Sequence, residues 1–111
     1  MSKRDWKLFL EDILESIEWI EDFIKGMDAE SFACDRKTVD AVVRNFEIIG
    51  EAAKSIPVDI RERHQGVDWS GMIGLRNRIA HEYFGLSLPI IWKIAVDDLP
   101  KLKNEIIRIE E

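Results

Sequence analysis

The run GLRNRIAHEYFG, Gly74 to Gly85, crowds Arg76, Asn77, Arg78, His81, Glu82 and Tyr83 into one short stretch of an acidic chain. Histidine takes or gives a proton near neutral pH, and arginine offers a planar fork of N–H donors matched to phosphate oxygens. Tyrosine and asparagine orient a group by hydrogen bonding. Ser70 and Ser87 have no acid–histidine partners at helical spacing, so nucleophilic catalysis by a serine is not expected. His64 and His81 are seventeen positions apart, and no HExxH or paired-ligand pattern surrounds them, so neither a metal nor a cofactor is expected. The chemistry left is that of a phosphodiester whose substrate brings its own nucleophile, as RNA does with its 2′-hydroxyl. The same residues also suit an ordinary solvated helix face, and spacing alone does not separate the two readings.

If the stretch is helical, Asn77 and His81 nearly stack, and Arg76 and Tyr83 share a face. Arg76 and His81 diverge by about 140° around an ideal helix. They meet on one ligand only if the arginine reaches across or a second copy of the helix completes the site. The angle is a hint of a dimer.

The elements that must position these residues are read from periodicity. Trp6, Phe9, Leu10, Ile13, Ile17, Ile20 and Ile24 recur at three- and four-residue steps opposite Glu11, Glu15, Glu18 and Asp22, which predicts a long amphipathic first helix with a solvated acidic face, ended by Gly26 and a mixed stretch to Asp35. A second helix is expected from about Arg36 to Ser55, capped by Asp35, facing Val39, Val42, Val43, Phe46 and Ile49 inward and stopped by Pro57. Within it, Gly50 costs about 1 kcal/mol of helix propensity relative to alanine, a sacrifice that usually permits close helix approach. A short turn over Asp59–His64, a helix from Asp68 to about Phe84 ended by Gly85, and a C-terminal helix begun by Ser87 and Pro89 complete the list. That last element carries Ile90, Ile91, Ile94, Leu99, Leu102, Ile106 and Ile109 inward, and Pro100 must kink or split it. No strand-like alternation or internal repeat is visible. The expectation is an all-α antiparallel bundle of four to five helices forming one domain, residues 1–111.

At 111 residues the chain is long enough to bury a core. It has no apolar run of membrane-spanning length, and its N-terminus acquires acids too early for a signal peptide, so a cytoplasmic protein without a membrane partner is expected. Cys34 is the single cysteine, which fits a reducing compartment, and it is expected to be a small buried hydrophobe. The net charge of −6 argues against a polyanionic partner until its distribution is seen. Residues 1–34 hold 4 Lys/Arg against 9 Asp/Glu, whereas residues 61–83 carry a net +1. A small nucleic-acid contact from the second half therefore remains open. Trp6, Trp19, Trp69 and Trp92 are expected in the core or a dimer interface rather than under stacked bases.

The stretch Arg76-Asn77-Arg78-Ile79-Ala80-His81-Glu82-Tyr83 resembles the R-x4-H-x-Y motif of HepT-like ribonuclease toxins in the HEPN superfamily. Gly50-Glu51-Ala52, Trp69 ahead of the motif and Trp92 after it are similar to that family in order and distance, and the likeness covers nearly the whole chain. The resemblance implies a HEPN-like fold and a metal-independent endoribonuclease acting on RNA, tRNA being one candidate, as the toxin of a two-gene module with an MntA-like minimal nucleotidyltransferase antitoxin. It also implies a homodimer whose two motifs face each other at the interface. By the same resemblance His81 is the general acid/base and Arg76 binds the scissile phosphate. Asn77 is a polar helper beside the pair, and Tyr83 matches the tyrosine that receives AMP and silences the toxin. Glu51 either buttresses the site by pairing with an arginine or is an ordinary surface glutamate. Arg78 and Arg63 are candidate RNA contacts or plain solvated positions. The alternative is a non-catalytic helical partner of a minimal nucleotidyltransferase, holding nucleotide or substrate without cutting it.

Overall fold

The computed structural model describes the backbone of residues 5–82 and 87–110 and, of these, the side chains of all but residues 80–82 and 110. The predicted terminator Gly85 and the residues Tyr83 and Phe84 lie outside the described residues. The described chain is all-α. Its elements are α1 (Trp6–Phe23), α2 (Ala29–Cys34), α3 (Arg36–Ser55), α4 (Val58–Arg63), α5 (Trp69–Glu82), α6 (Leu88–Lys93), a π-helical turn (Ile94–Asp98) and α7 (Leu99–Glu110). None of these helices is long and apolar enough to cross a membrane.

Helix α3 is the hub, packed against α1 on one side and α5 on another. Its predicted inner face is buried in full: Val39, Val42, Val43, Phe46 and Ile49 join Leu10, Ile13, Ile17 and Ile20 of α1 in one apolar cluster. The C-terminal helices close that cluster with Ile91, Leu99, Leu102 and Ile106, together with Ala95, which sequence periodicity did not single out. Ile90, expected inside, is exposed. Lys103 Nζ of α7 reaches Glu21 Oε1 of α1 at 2.9 Å and ties the last helix to the first.

The expected break at Pro100 takes a specific form. Proline cannot donate to the carbonyl four residues back and its ring crowds that carbonyl. The helix widens just ahead of it: the Leu99 N–H bonds Ile94 O, five residues back, within the π turn. The helical course then runs on from Leu88 to Glu110 without interruption.

Two expectations fail between α1 and α3. The mixed stretch after Gly26, which turns the chain with φ +80°, contains a further helix, α2. It is started by a capping box in which Asp28 Oδ1 accepts from the Ser31 N–H at 2.8 Å while Ser31 Oγ accepts from the Asp28 N–H at 3.0 Å. Phe32 is its buried anchor and packs on the Trp92 ring, centroids 5.2 Å apart. Cys34 on the same helix is exposed, not buried, because the 6 residues of α2 turn only Phe32 into the core.

The caps carry a pH dependence. Backbone N–H donation from Ser31 to Asp28 and from Thr38 to Asp35 holds both carboxyls below their ordinary value. A group whose folded pKa is lowered adds stability above its unfolded pKa and loses it as pH falls through the folded one. Asp35→Asn keeps a capping oxygen but cannot titrate. Urea midpoints taken from pH 6 down to pH 3 are therefore expected to fall less steeply for Asp35→Asn than for the parent, and parallel curves would remove Asp35 from the acid response.

Candidate functional site

Helix α5 is set in place by its first residues. The Asp68 carboxylate caps it by accepting from the Gly71 N–H at 2.9 Å. Trp69, buried, donates its Nε1–H to the carbonyl of His64 at 3.0 Å. His64 thus serves through its backbone, holding the loop against the helix.

One turn further on, α5 meets α3 where Gly50 stands. A Cβ added to Gly50 would collide with the Arg76 Cβ and lie 2.7 Å from the Met72 carbonyl oxygen. The close approach expected from this glycine is realised, and what occupies the vacated space is the stem of Arg76. The next residue of α3 then meets the head of the same side chain. Glu51 Oε1 accepts from Arg76 Nε at 3.3 Å and from Nη2 at 3.2 Å, and Asn77 Oδ1 accepts from Nη1 at 3.1 Å. Three of the five guanidinium N–H bonds are engaged in this way.

The ion pair is 28% exposed on the arginine side and 60% on the glutamate side. Screening at that exposure limits its stabilisation to about 0–1 kcal/mol. Its consequence is orientation: a long flexible side chain is clamped at its stem by packing and at its head by two acceptors. The remaining N–H donors have no bond to a described residue, and a guanidinium fork of this kind matches the oxygens of an anion.

Arg76, Asn77 and Glu51 are thus brought together. Arg78 is not, since two positions along a helix is a turn of about 200°. It is exposed and lines a cleft of another face, floored by Phe46 and Ile49 of α3 and walled by Leu75 of α5 and Leu99 and Leu102 of α7. Arg63 lies on α4, 3.9 Å from Asp59 of its own helix and 69% exposed. The backbone of α5 continues helically through His81, so the Cα atoms of Arg76 and His81 are about 9 Å apart along an ideal helix and point about 140° apart. The His81 side chain and all of Tyr83 lie outside the described residues. The pairing of Glu51 with an arginine, one of the two expectations for this residue, is what the structure shows, and the part the sequence leaves unconnected is that Gly50 makes room for the same arginine.

The HepT-like ribonuclease family matches residues 13–109, a span that takes in α3, the Gly50–Glu51 clamp and the whole of the Arg76–Tyr83 motif. The chain belongs to the HepT-like ribonuclease family. Its relatives match it nearly end to end. It is 42% identical to a Thermococcus cleftensis protein named "Probable ribonuclease HepT", over 98% of this chain and 99% of that one. It is 46% identical to a Methanocaldococcus jannaschii protein provisionally named an RNase, over 96% and 97% of the two chains. A Caldanaerobacter subterraneus protein with the same provisional name is 39% identical, over 91% and 90%. No solved structure gives a significant match.

Proposed function

We propose that this chain is a metal-independent endoribonuclease in which Arg76 binds the scissile phosphate and His81 moves the proton. The observation that carries the reading is the clamp: in a chain of a ribonuclease family, one arginine is packed against a glycine, held by Glu51 and Asn77, and left with donors for an anion. In the reaction the 2′-oxygen of the substrate attacks the adjacent phosphorus while His81 accepts its proton. The bond from phosphorus to the 5′-oxygen breaks, and the imidazolium returns the proton to that leaving oxygen. The products are a 2′,3′-cyclic phosphate and a 5′-hydroxyl. The Arg76 fork stabilises the charge that grows on the non-bridging oxygens.

The head of Arg76 is turned toward α3, and on an ideal helix position 81 lies about 140° around α5 from position 76. A homodimer in which each phosphate meets the arginine of one copy and the histidine of the other resolves that divergence. Tyr83, two positions from His81, is the proposed site at which a minimal nucleotidyltransferase partner attaches AMP. The added anion would compete with RNA for Arg76 and repel its backbone. A Tyr83 peptide heavier by one AMP unit after co-production with such a partner is the expected mark, and a tyrosine always unmodified would reject this regulation.

The catalytic reading is tested by incubating the purified chain with total RNA in EDTA. Cleavage that persists in chelator and leaves 2′,3′-cyclic ends is the expected result. RNA bound but left intact would instead indicate a non-catalytic binding partner.

A further inference from the structure

The outer face of α1 takes no part in the site described above. Trp19, expected in the core or a dimer contact, is 49% exposed there. One face of its indole is stacked on Phe23, centroids 5.8 Å apart and planes 22° from parallel. Its Nε1–H is directed at Glu15 Oε1 at 3.5 Å. Glu11, Glu15, Glu18 and Asp22 line a shallow groove with it, and Leu8, also exposed, extends the same stripe by a turn. On an ideal helix these residues fall within about 100° of arc and span about 21 Å. None of the four carboxylates is in an ion pair among the described residues. Lys103 bonds Glu21 and adds an electrostatic contact with Glu18 at the edge of the face, while Lys7 and Lys25 stand at the two ends of the stripe, Lys7 with its ammonium over the Trp6 ring.

We infer that this face docks a cationic amphipathic helix of a partner protein, with Lys or Arg side chains on the four carboxylates and one of them against the exposed part of the Trp19 indole. A half-exposed indole supported by Phe23 and set among acids attracts a cation through both its quadrupole and its surroundings. Two of the three available occupants are disfavoured by charge. RNA carries the same sign as the face, and a second copy applied through this face would set carboxylates against carboxylates. A basic helix of about four turns matches both the length of the stripe and its charge. This inference is independent of the catalytic reading, because no residue of the Arg76 clamp takes part.

The probe is a fourteen-residue amphipathic peptide with arginine at every third or fourth position and leucine between, titrated calorimetrically into the full chain. A peptide with glutamate in place of each arginine is the control. Micromolar binding of the arginine peptide and none of the glutamate peptide are expected. Affinity should weaken about tenfold in Trp19→Ala and about tenfold in Glu15→Gln/Glu18→Gln, and fall further at high salt. Trp19 is half exposed and both glutamates are on the surface, so far-UV circular dichroism should show all chains folded. Equal affinity for the parent and the Gln variant, or for the parent and a folded Trp19→Ala chain, would overturn the inference. So would a parent that ignores the peptide at millimolar concentration, or a dimer in sedimentation that Trp19→Ala dissolves, which would assign the face to a second copy.

Discussion

Gly50→Val is expected to lower stability by about 2–4 kcal/mol and the thermal midpoint by roughly 8–16 °C. The cause is local. At this point α3 and α5 are so close that a Cβ meets the Arg76 Cβ and stands 2.7 Å from the Met72 carbonyl. The carbonyl belongs to the backbone of α5, which can yield only by moving the helix. The new side chain gains some intrinsic helix propensity over glycine, at most about 1 kcal/mol, which is too little to offset that displacement. A loss of this size is a large share of the roughly 5–15 kcal/mol that holds a domain together. RNA cleavage by the variant should fall further than its remaining folded fraction accounts for, because the stem of Arg76 is what the valine pushes. A melt by circular dichroism within 2 °C of the parent would mean that the helices are not held at this distance in solution.

The second large effect is chemical. His81→Ala is expected to slow cleavage by about 10²–10⁴-fold, the usual worth of a positioned proton-transfer group. Arg76→Ala is expected to cost about 10²–10³-fold, as loss of a preorganised donor to a developing oxyanion does. Arg76→Lys should recover little, since an ammonium cannot hold Glu51, Asn77 and a phosphate in one plane. The two alanine variants should remain folded: Arg76 leaves a gap beside glycine rather than an unpaired buried group, because Glu51 is exposed and can be hydrated. Single-turnover rates on one defined RNA measure these factors. An unchanged rate in either variant would strip that residue of its role.

Much of this molecule is legible in its sequence. The bounds of α3, its Asp35 cap and its five inner residues were readable because a strong 3.6-residue period lay between a capping aspartate and a proline. The motif on α5 was readable as chemistry, although it did not announce which helix would support it. The rest was hidden for identifiable reasons. Helix α2 is a capped helix of 6 residues with one buried residue, too short to produce a period, and its only signal was the Asp28–Ser31 box. Cys34 is exposed for the same reason. Trp19 sits beside the apolar stripe of α1, which suggests the core or a dimer contact, but it falls about 100° from Ile20 on the acidic side and so stays out of the core. Pairing of Glu51 with an arginine is one of two readings its sequence position allows, and it is the missing side chain at Gly50 that brings Arg76 against it. Long-range pairs of this kind depend on how two helices dock, and one helix's periodicity does not contain that information.

Whether the two reacting groups come from different copies of the chain is decided by mixing. Arg76→Ala and His81→Ala chains, each nearly inactive, are unfolded together, refolded as a mixture and assayed on RNA in EDTA. If each site takes arginine from one copy and histidine from the other, a mixed dimer contains one complete pair, and random assembly of two-fold dimers restores about a quarter of the parent rate. A mixture no more active than the separate variants, beside an active parent treated identically, would contradict the shared site and place both groups within a single chain.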